Sequence, residues 1–381
     1  MPEERCSTLS GGTVGAGPRC NGEVAMRLGI LTSGGDCAGL NAVIRGAVLR
    51  AVRGYGFEVW GIHEATHGLL QRPVTAQQLT PDSVKGILHQ GGTILGTTNR
   101  GNPFGYPSNE GPPLDRSAEI IEGYRLLGLD ALIGIGGDGS LAILRRLALA
   151  GGWRLVGIPK TIDNDLGHTE QSVGFSTAGA IATEAVDRLH VTAASHNRVM
   201  VLEVMGRDAG HIALTAGLAG GADVILIPEI AHSMAKVCAK IEERRLSGRN
   251  FSLVVVAESV RSGEGEAQMY TDAHGQSRYG GIGRIIAEEI ARRTGAESRV
   301  TVLGHVQRGG SPVPLDRVAG LAFGVAAVDL VAQGRFDRMV GWQNRRVVDV
   351  PIAEACARYQ AVDPGGTLVH TARGLGIAFG D

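Results

Sequence analysis

Residues 130–140 read D-A-L-I-G-I-G-G-D-G-S, an apolar run that ends in a glycine-rich turn. The run is apolar on both faces, which is typical of a central parallel strand covered by helices on each side. Because the segment after the turn has helical spacing, we predict a strand, a tight turn and a helix. An aspartate between glycines can offer its carboxylate to Mg²⁺ while bare backbone N–H groups approach phosphate oxygens. Residues 136–140 therefore indicate a phosphate site of the kinase kind, with a purely structural turn as the alternative.

The same alternation of apolar run, glycine-rich turn and helical spacing continues over the chain from Met26 onward. The predicted strands are Arg27–Thr32, Glu58–Ile62, Asp130–Ile135, Arg154–Ile158, Arg198–Val204, Asp223–Ile227, Phe251–Ala257 and Arg299–Leu303. The 381 residues exceed what one core usually holds, so two lobes are expected. We predict an α/β fold of two lobes, with doubly wound, mostly parallel sheets and helices on both faces. Ligands should gather beyond the carboxyl ends of the strands.

Composition narrows the possible functions. Lys and Arg total 37 against 38 for Asp and Glu, so the net charge is close to zero. The protein as a whole therefore has no electrostatic attraction to nucleic acid or to an anionic membrane. Five cysteines without a C-x-x-C pair indicate neither a disulfide framework nor a zinc site, and fit a cytoplasmic location. No apolar run is long enough for a membrane span. Residues 1–25 lack the apolar core of a signal peptide and are predicted to be a disordered extension, while Arg100–Pro113 and Ser259–Tyr279 are predicted loops.

Two further turns with glycines or carboxylates follow predicted strands. Residues 31–36 read L-T-S-G-G-D, where paired glycines let backbone N–H groups approach a phosphate. Residues 159–165 read P-K-T-I-D-N-D, with two carboxylates two positions apart. In an extended turn both carboxylates project to one side, where one can take a hydroxyl proton. Either turn could instead be structural, because glycine relieves a tight bend and Asn164 or Asp165 can cap a helix.

Two more turns carry cations. Residues 203–207 read E-V-M-G-R, and residues 304–312 read G-H-V-Q-R-G-G-S-P. Each places an arginine just past a buried strand, where a guanidinium can grip phosphate oxygens with two parallel bonds. A single arginine at a strand end is more often a surface ion-pair partner. Five phosphate-type turns in one chain, however, favour phosphoryl transfer.

These five segments, in this order, resemble the 6-phosphofructokinase family of the bacterial type. The resemblance runs from about Met26 to at least Arg317, and its I-D-N-D and G-H-V-Q-R-G-G segments are highly specific. It implies transfer of a phosphoryl group from ATP, with Mg²⁺, to the C1 hydroxyl of fructose 6-phosphate, giving fructose 1,6-bisphosphate in glycolysis. It also implies a donor domain of residues 26–174 plus about 307–337, and a sugar-phosphate domain of residues 175–306 plus about 338–381.

The resemblance assigns roles position by position. Asp163 is implied to be the general base, with Thr161, Asp165 and Arg207 as further catalytic residues, and Asp138 is the implied Mg²⁺ ligand. The residues implied to contact the donor are Gly35, Arg100, Asp138, Gly139, Ser140 and Lys160. Those implied to contact the sugar phosphate are Thr161, Asp163, Arg198, Met205, Gly206, Arg207, Glu258, Arg299, His305 and Arg308.

Two of these residues imply an assembly. Arg198 and Arg299 match arginines that in the family reach the 6-phosphate from a neighbouring subunit. The resemblance therefore implies a homo-oligomer, a dimer or tetramer, whose active sites are shared between copies.

The chain departs from the family's ATP-dependent pattern in the donor region. Those enzymes have glycine where this chain has Lys160, a feature of pyrophosphate-dependent members, yet the latter carry aspartate in place of Gly139. This combination resembles the mixed-substrate group. A carboxylate at position 139 would repel the α-phosphate of ATP, whereas glycine admits it, so ATP is the predicted donor and pyrophosphate the alternative. Asn99 stands where the ATP enzymes have a phosphate-binding arginine, and Arg100 is predicted to replace it.

A hypothesis of another class is a sensor that binds sugar phosphate or nucleotide without catalysis. The retained pair Asp163 and Asp165 argues against it, because a sensor needs no base. At the family's effector site Arg45 and Asp223 fit, whereas Leu49 and His190 stand in place of arginines. Loss of two cations should weaken binding of an anion, so regulation by ADP or phosphoenolpyruvate is predicted to be weak or absent.

Overall fold

The computed structural model describes residues 25–108, 111–262, 265–271 and 277–381. Except for Ala25, the predicted N-terminal extension lies outside the described residues. The strands are β1 (Arg27–Thr32), β2 (Glu58–Ile62), β3 (Ala76–Leu79), β4 (Ala131–Gly136), β5 (Leu155–Thr161), β6 (Val173–Gly174), β7 (Val199–Val204), β8 (Val224–Leu226), β9 (Ser252–Ala257), β10 (Arg261–Ser262), β11 (Glu266–Ala267), β12 (Met269–Thr271), β13 (Ser277–Tyr279), β14 (Ser298–Val302), β15 (Arg338–Gln343) and β16 (Arg346–Pro351). The α-helices are α1 (Leu40–Arg50), α2 (His67–Leu70), α3 (Ser117–Leu126), α4 (Asp138–Gly151), α5 (Phe175–His196), α6 (His211–Ala219), α7 (Met234–Leu246), α8 (Ile282–Thr294), α9 (Pro314–Ala332), α10 (Ile352–Ala357) and α11 (Thr367–Gly374).

Two separate sheets organise these elements. The first has eight strands in the order β16-β15-β5-β4-β1-β2-β3, with β6 paired to β5. Its central strands are parallel, while β3 and β16 lie antiparallel at the edges. The second has four parallel strands in the order β14-β7-β9-β8. Each predicted strand is present, and the largest difference is that β5 continues to Thr161. We call the two sheets with their helices the first lobe and the second lobe.

Both faces of the first sheet are buried because its apolar side chains point alternately to either side. Leu28 and Ile30 of β1 pack in one core with residues of α1 and α9, while Leu31 packs in another core with residues of α3, α4 and α10. Ile133 and Leu132 of β4 divide between the same two cores. Each fully buried aliphatic side chain stabilises the fold by roughly 1.5–3 kcal/mol. The alternation therefore requires helices on both faces.

In the second lobe, β7 and β9 are buried along their whole length. Helix α5 packs against α6, and α7 packs against α8. In the described parts of the chain, no helix combines the length and the apolar character needed to cross a membrane.

The predicted domain division is wrong for the hairpin β15–β16. β15 pairs in parallel with β5 of the first sheet, and β16 folds back on β15. Helix α10 then packs on α4 of the first lobe, whereas α11 packs on α6 and Ala378 pairs with Val224 at the edge of the second sheet. Residues 338–381 are thus divided between the lobes. Local periodicity identifies a strand but not the sheet whose edge it joins.

The segment Ser259–Tyr279, predicted as a loop, contains the short antiparallel hairpins β10–β11 and β12–β13. Strands of two or three residues are too short to show a period in the sequence. The hairpin β12–β13 lies beside the cavity described below.

A buried carboxylate joins the lobes where α5 begins. Asp316 of α9 is fully buried and accepts hydrogen bonds from Gly174 N–H at 3.0 Å, Thr177 N–H at 2.7 Å and the Thr177 hydroxyl at 2.5 Å. These groups belong to the first turn of α5, where unpaired N–H groups and the helix dipole favour a negative charge. The start of this second-lobe helix is therefore fixed to the first lobe.

Candidate active site

The turn after β5 brings two carboxylates to one hydroxyl. The Thr161 Oγ1 lies 3.2 Å from Asp163 Oδ2 and 3.3 Å from Asp165 Oδ1, and it accepts a 3.1 Å bond from the Asp163 N–H. Asn164 between them has φ +54°, a left-handed conformation in which asparagine is enriched. Its side-chain oxygen accepts the Ser172 N–H at 3.0 Å, which holds the turn. Thr161 has one proton to donate, so it serves one carboxylate at a time.

Asp163 has a buried oxygen without a protein partner. The residue is 7% exposed, and burial raises the pKa of its carboxyl above the ordinary value, although Arg308 and Arg207 oppose the shift. Among the described residues nothing donates a hydrogen bond to its Oδ1. An unpaired buried oxygen is costly, but this residue lines a cavity. The Oδ1 is therefore suited to accept a proton from a ligand hydroxyl.

Asp165 is buried in the same cluster. It is 5% exposed, and burial, followed by the negative charges of Asp163 and Asp138, raises the pKa of its carboxyl to about 6. The three carboxylates repel one another, so a cation at this place is favoured.

The turn after β7 supplies that cation. Arg207 Nη1 lies 3.1 Å from Asp138 Oδ1 and 3.8 Å from Asp165 Oδ2. Its backbone has φ +53°, a strained conformation for a residue with a long side chain. Glu258, just after β9, stabilises this turn because its Oε1 accepts N–H bonds from Gly206 at 3.2 Å and Arg207 at 3.0 Å. Burial raises the pKa of Glu258 to about 7.

A cavity of about 580 Å³ opens at the carboxyl ends of β7, β9 and β14. The predicted sugar-phosphate residues that line it are Asp163, Met205, Arg207, Glu258, His305 and Arg308. His305 and Arg308 come from the 3₁₀ turn Gly304–Arg308 that follows β14. The cavity thus combines a buried carboxylate with basic side chains, as a phosphorylated, hydroxyl-bearing ligand requires.

The glycine turns after β1 and β4 face the same cleft. A Cβ on Gly35 would lie 2.8 Å from Arg308 Nη1, so glycine is needed for this close approach. A Cβ on Gly34 would lie 3.0 Å from Ser140 Oγ, so the two turns meet. By contrast, a Cβ on Gly139 would meet nothing within 4 Å. Position 139 borders open space at the start of α4, where backbone N–H groups attract phosphate.

Lys160 lies behind these turns and not in open space. It is 5% exposed and its Nζ donates to Gly35 O at 2.6 Å. Burial lowers the pKa of its ammonium group. The lysine therefore braces the glycine turn from inside.

The residues present fit a Mg²⁺ ion that arrives with a nucleotide. Asp138 begins α4 with a half-exposed carboxylate. Within the described ranges no group of three or more His, Cys, Asp or Glu is arranged to hold a metal. Mg²⁺ is commonly held by one or two carboxylates together with substrate phosphates and water, and Asp138 can supply such a carboxylate.

Three predicted arginines do not line the cavity. Arg198 and Arg299 both form ion pairs with Glu297 at the amino-terminal ends of β7 and β14, the ends opposite the cleft. Arg100 is exposed, two residues after Thr98, whose carbonyl accepts the Gly34 N–H at 3.0 Å. One copy of the chain therefore brings Arg100 near the glycine turn but leaves both strand-end arginines outside its own cavity.

Sequence reasoning missed several residues that hold the site. Glu203 is 2% exposed and accepts the N–H groups of Gly281 at 3.0 Å and Gly283 at 2.7 Å, which fixes the start of α8. Gln307 is 1% exposed and accepts the Met205 N–H at 2.8 Å. An acid at the end of an apolar strand was a visible signal for Glu203. Nothing in the sequence marks Gln307, because its role depends on a contact about a hundred positions away.

Comparison with known proteins now identifies the family. The family model described as Phosphofructokinase matches residues 27–331. The chain belongs to this family. The ATP-dependent 6-phosphofructokinase 1 of Synechocystis sp. is 64% identical over 355 residues, covering 93% of this chain and 98% of that protein. The protein of the same name from Nostoc sp. is 62% identical over 355 residues, covering 93% and 99%.

Solved phosphofructokinase structures share the fold. The T-state structure of Pichia pastoris phosphofructokinase matches with a TM-score of 0.76 at 29% identity, covering 88% of this chain and 36% of that chain. The pyrophosphate-dependent phosphofructokinase from Nitrosospira multiformis matches with a TM-score of 0.76 at 20% identity, covering 94% and 93%. At that identity the second likeness concerns the fold alone. The predicted fold class is confirmed.

Proposed function

We propose that this phosphofructokinase transfers the γ-phosphoryl group of ATP to the C1 hydroxyl of fructose 6-phosphate and forms fructose 1,6-bisphosphate. The observation that carries the proposal is the unpaired Oδ1 of buried Asp163. It lines one cavity with His305 and Arg308, and Arg308 also contacts the glycine turn after β1. A phosphate held by the basic side chains leaves the far end of a six-carbon sugar near the carboxylate.

In this mechanism Asp163 accepts the proton of the C1 hydroxyl as that oxygen attacks the γ-phosphorus of ATP. The bond from this phosphorus to the bridging oxygen of the β-phosphate breaks, and ADP leaves. Burial raises its pKa, which makes the carboxylate a stronger base once it is ionised. The Arg207 guanidinium, 3.1 Å from Asp138 and 3.8 Å from Asp165, stands between donor and acceptor and stabilises charge on the transferring group. Thr161 orients the carboxylates. A Mg²⁺ ion bound at Asp138 would neutralise part of the negative charge on the donor phosphates.

ATP is the proposed donor because position 139 leaves space beside the start of α4. The names of the two cyanobacterial relatives support the same choice. Pyrophosphate is the second candidate, since Lys160 stands where the family's pyrophosphate-dependent members have a lysine. Purified protein with fructose 6-phosphate and Mg²⁺ is offered each donor in turn. Turnover with ATP is expected, and turnover with pyrophosphate alone would contradict the proposal.

We further propose that the first lobe binds the donor, the second lobe binds the sugar phosphate, and the active sites are shared in a cytoplasmic homo-oligomer. Arg198 and Arg299 lie away from their own cavity, which supports a role in that of a neighbouring copy. A mixture of Arg299→Ala and Asp163→Asn proteins tests this. Hybrid sites then pair an intact base with an intact arginine, so subunit exchange should restore part of the activity. A mixture that is no more active than its components would contradict sharing.

A further inference from the structure

The hairpin β12–β13 forms one wall of the cavity and contributes four side chains to it, among them Tyr279. The hairpin is anchored at its base. Gly280 N–H donates to Gln268 O at 3.2 Å, and Gly281 N–H donates to Glu203 Oε1 at 3.0 Å. Tyr279 thus lies two residues before the glycine that donates to the buried acid at the end of β7.

The Tyr279 hydroxyl donates to Asp208 Oδ1 at 2.5 Å. An O–H···O⁻ bond of this length is charge-assisted and about twice as strong as a neutral one. The bond to Asp208, followed by burial, raises the pKa of Tyr279, so the phenol remains a donor. Asp208 itself is half exposed. Its carboxylate therefore depends on the tyrosine for a fixed orientation.

Asp208 is next to Arg207 in the turn after β7. Its other oxygen, Oδ2, lies 3.8 Å from Arg207 Nε, beyond a direct hydrogen bond. Arg207 is also half exposed, in a strained backbone conformation, and its Nη1 reaches Asp138. When the bond to Tyr279 is lost, the Asp208 carboxylate can rotate towards the Arg207 guanidinium. There it competes with the Asp138 carboxylate for the same N–H groups.

We propose that Tyr279 is a positioning residue, whose hydroxyl holds Asp208 so that Arg207 keeps its orientation across the cleft. The inference rests on the proposed function, because Arg207 acts on the transferring group only there. Tyr279 and Asp208 also line a second cavity of about 920 Å³. Their bond therefore stands in the partition between this cavity and the sugar-phosphate cavity.

Tyr279→Phe removes only the hydroxyl. We expect kcat to fall about tenfold or more, because small misplacements of catalytic groups are costly, while the KM for ATP stays within about twofold. Asp208→Asn should give a similar loss, and the double variant should lose little more, as for two residues that act through one bond. The matched control is Tyr55→Phe. It removes the 2.9 Å bond from Tyr55, in the helical turn that follows α1, to Asp329 of α9, and neither residue lines the cavity.

Four results would overturn the inference. They are an unchanged kcat in Tyr279→Phe, additive losses in the double variant, a rise in the KM for fructose 6-phosphate alone, and a loss of kcat that tracks a lowered thermal midpoint. The third would indicate a direct ligand contact and the fourth a purely structural role. Turnover of the wild-type protein is measured first, and its absence would contradict the proposed function. Normal wild-type turnover together with any of these four results would contradict only the role of Tyr279.

Discussion

Replacing Asp163 with asparagine probes the candidate site most directly. The change keeps the size and planarity of the side chain but removes the proton acceptor. General-base catalysis contributes roughly 10²- to 10⁴-fold, and we expect kcat to fall by that factor. Binding of fructose 6-phosphate should change little, because the side chain's hydrogen bonds within the protein go only to Thr161 in the described part of the chain, and an amide can still bond a hydroxyl.

The same substitution should leave the fold at least as stable. Burial raises the pKa of Asp163 in the folded state above its ordinary value of 3.8. The stability associated with the protonated form is therefore fully present below that ordinary value and is lost as the pH rises through the folded-state pKa. Asparagine remains neutral. The variant's advantage in unfolding free energy over wild type should accordingly grow as the pH rises above about 4.

Formation of fructose 1,6-bisphosphate, calorimetric titration with fructose 6-phosphate, and thermal unfolding across this pH range measure the three effects. Asp337→Asn makes the same chemical change outside the cavity, at a partly exposed ion pair with Arg145, and should leave kcat unaltered. A kcat for Asp163→Asn within tenfold of wild type would refute the assigned base. A lower midpoint at alkaline pH would refute the electrostatic reasoning.

Three further outcomes are expected. Gly139→Asp should fold normally, because its Cβ meets open space, yet lose about a hundredfold or more in kcat/KM for ATP by repulsion of the α-phosphate; donor kinetics with unchanged ATP use would contradict this. Burial raises the pKa of Glu258 to about 7 and of Asp165 to about 6, so kcat/KM for fructose 6-phosphate should rise with pH as these carboxylates ionise. The Glu258→Gln variant should lose the rise near pH 7, and a flat wild-type pH profile would contradict this prediction. The dependence of rate on fructose 6-phosphate should be hyperbolic and insensitive to ADP or phosphoenolpyruvate. The reason is that Asp223 is already paired with Arg244 at 2.7 Å and His190 packs edge-on against Phe251. A sigmoidal curve that ADP makes hyperbolic would contradict this prediction.

The parallel strands and their covering helices were predictable because their signal is local. An apolar run such as β4 must be buried on both faces, and a glycine-rich turn such as residues 136–140 must follow it. The carboxyl ends of parallel strands lie on the same edge of a sheet. Motifs separated by more than a hundred residues could therefore be assigned to one cleft before any contact was known.

What could not be predicted depends on partners chosen across the fold. The hairpin β15–β16 carries no mark of the sheet it extends, so its lobe was assigned wrongly. Tyr279 and Asp208 are separated by 71 positions, and the tyrosine lies in a segment whose strands are too short for periodicity. Lys160 was expected to contact the donor, a role that remains a prediction, while its bond to Gly35 depends on how β5 and β1 end on either side of β4.

Helix α5 has a consequence for communication along the molecule. Its 22 residues form a rod of about 33 Å at 1.5 Å per residue. One end is pinned at Asp316, next to the strand pair that carries Thr161. The other end of the helix is His196, and only Asn197 separates it from Arg198. One continuous helix thus links the surface around Arg198 to the strand pair that carries Thr161.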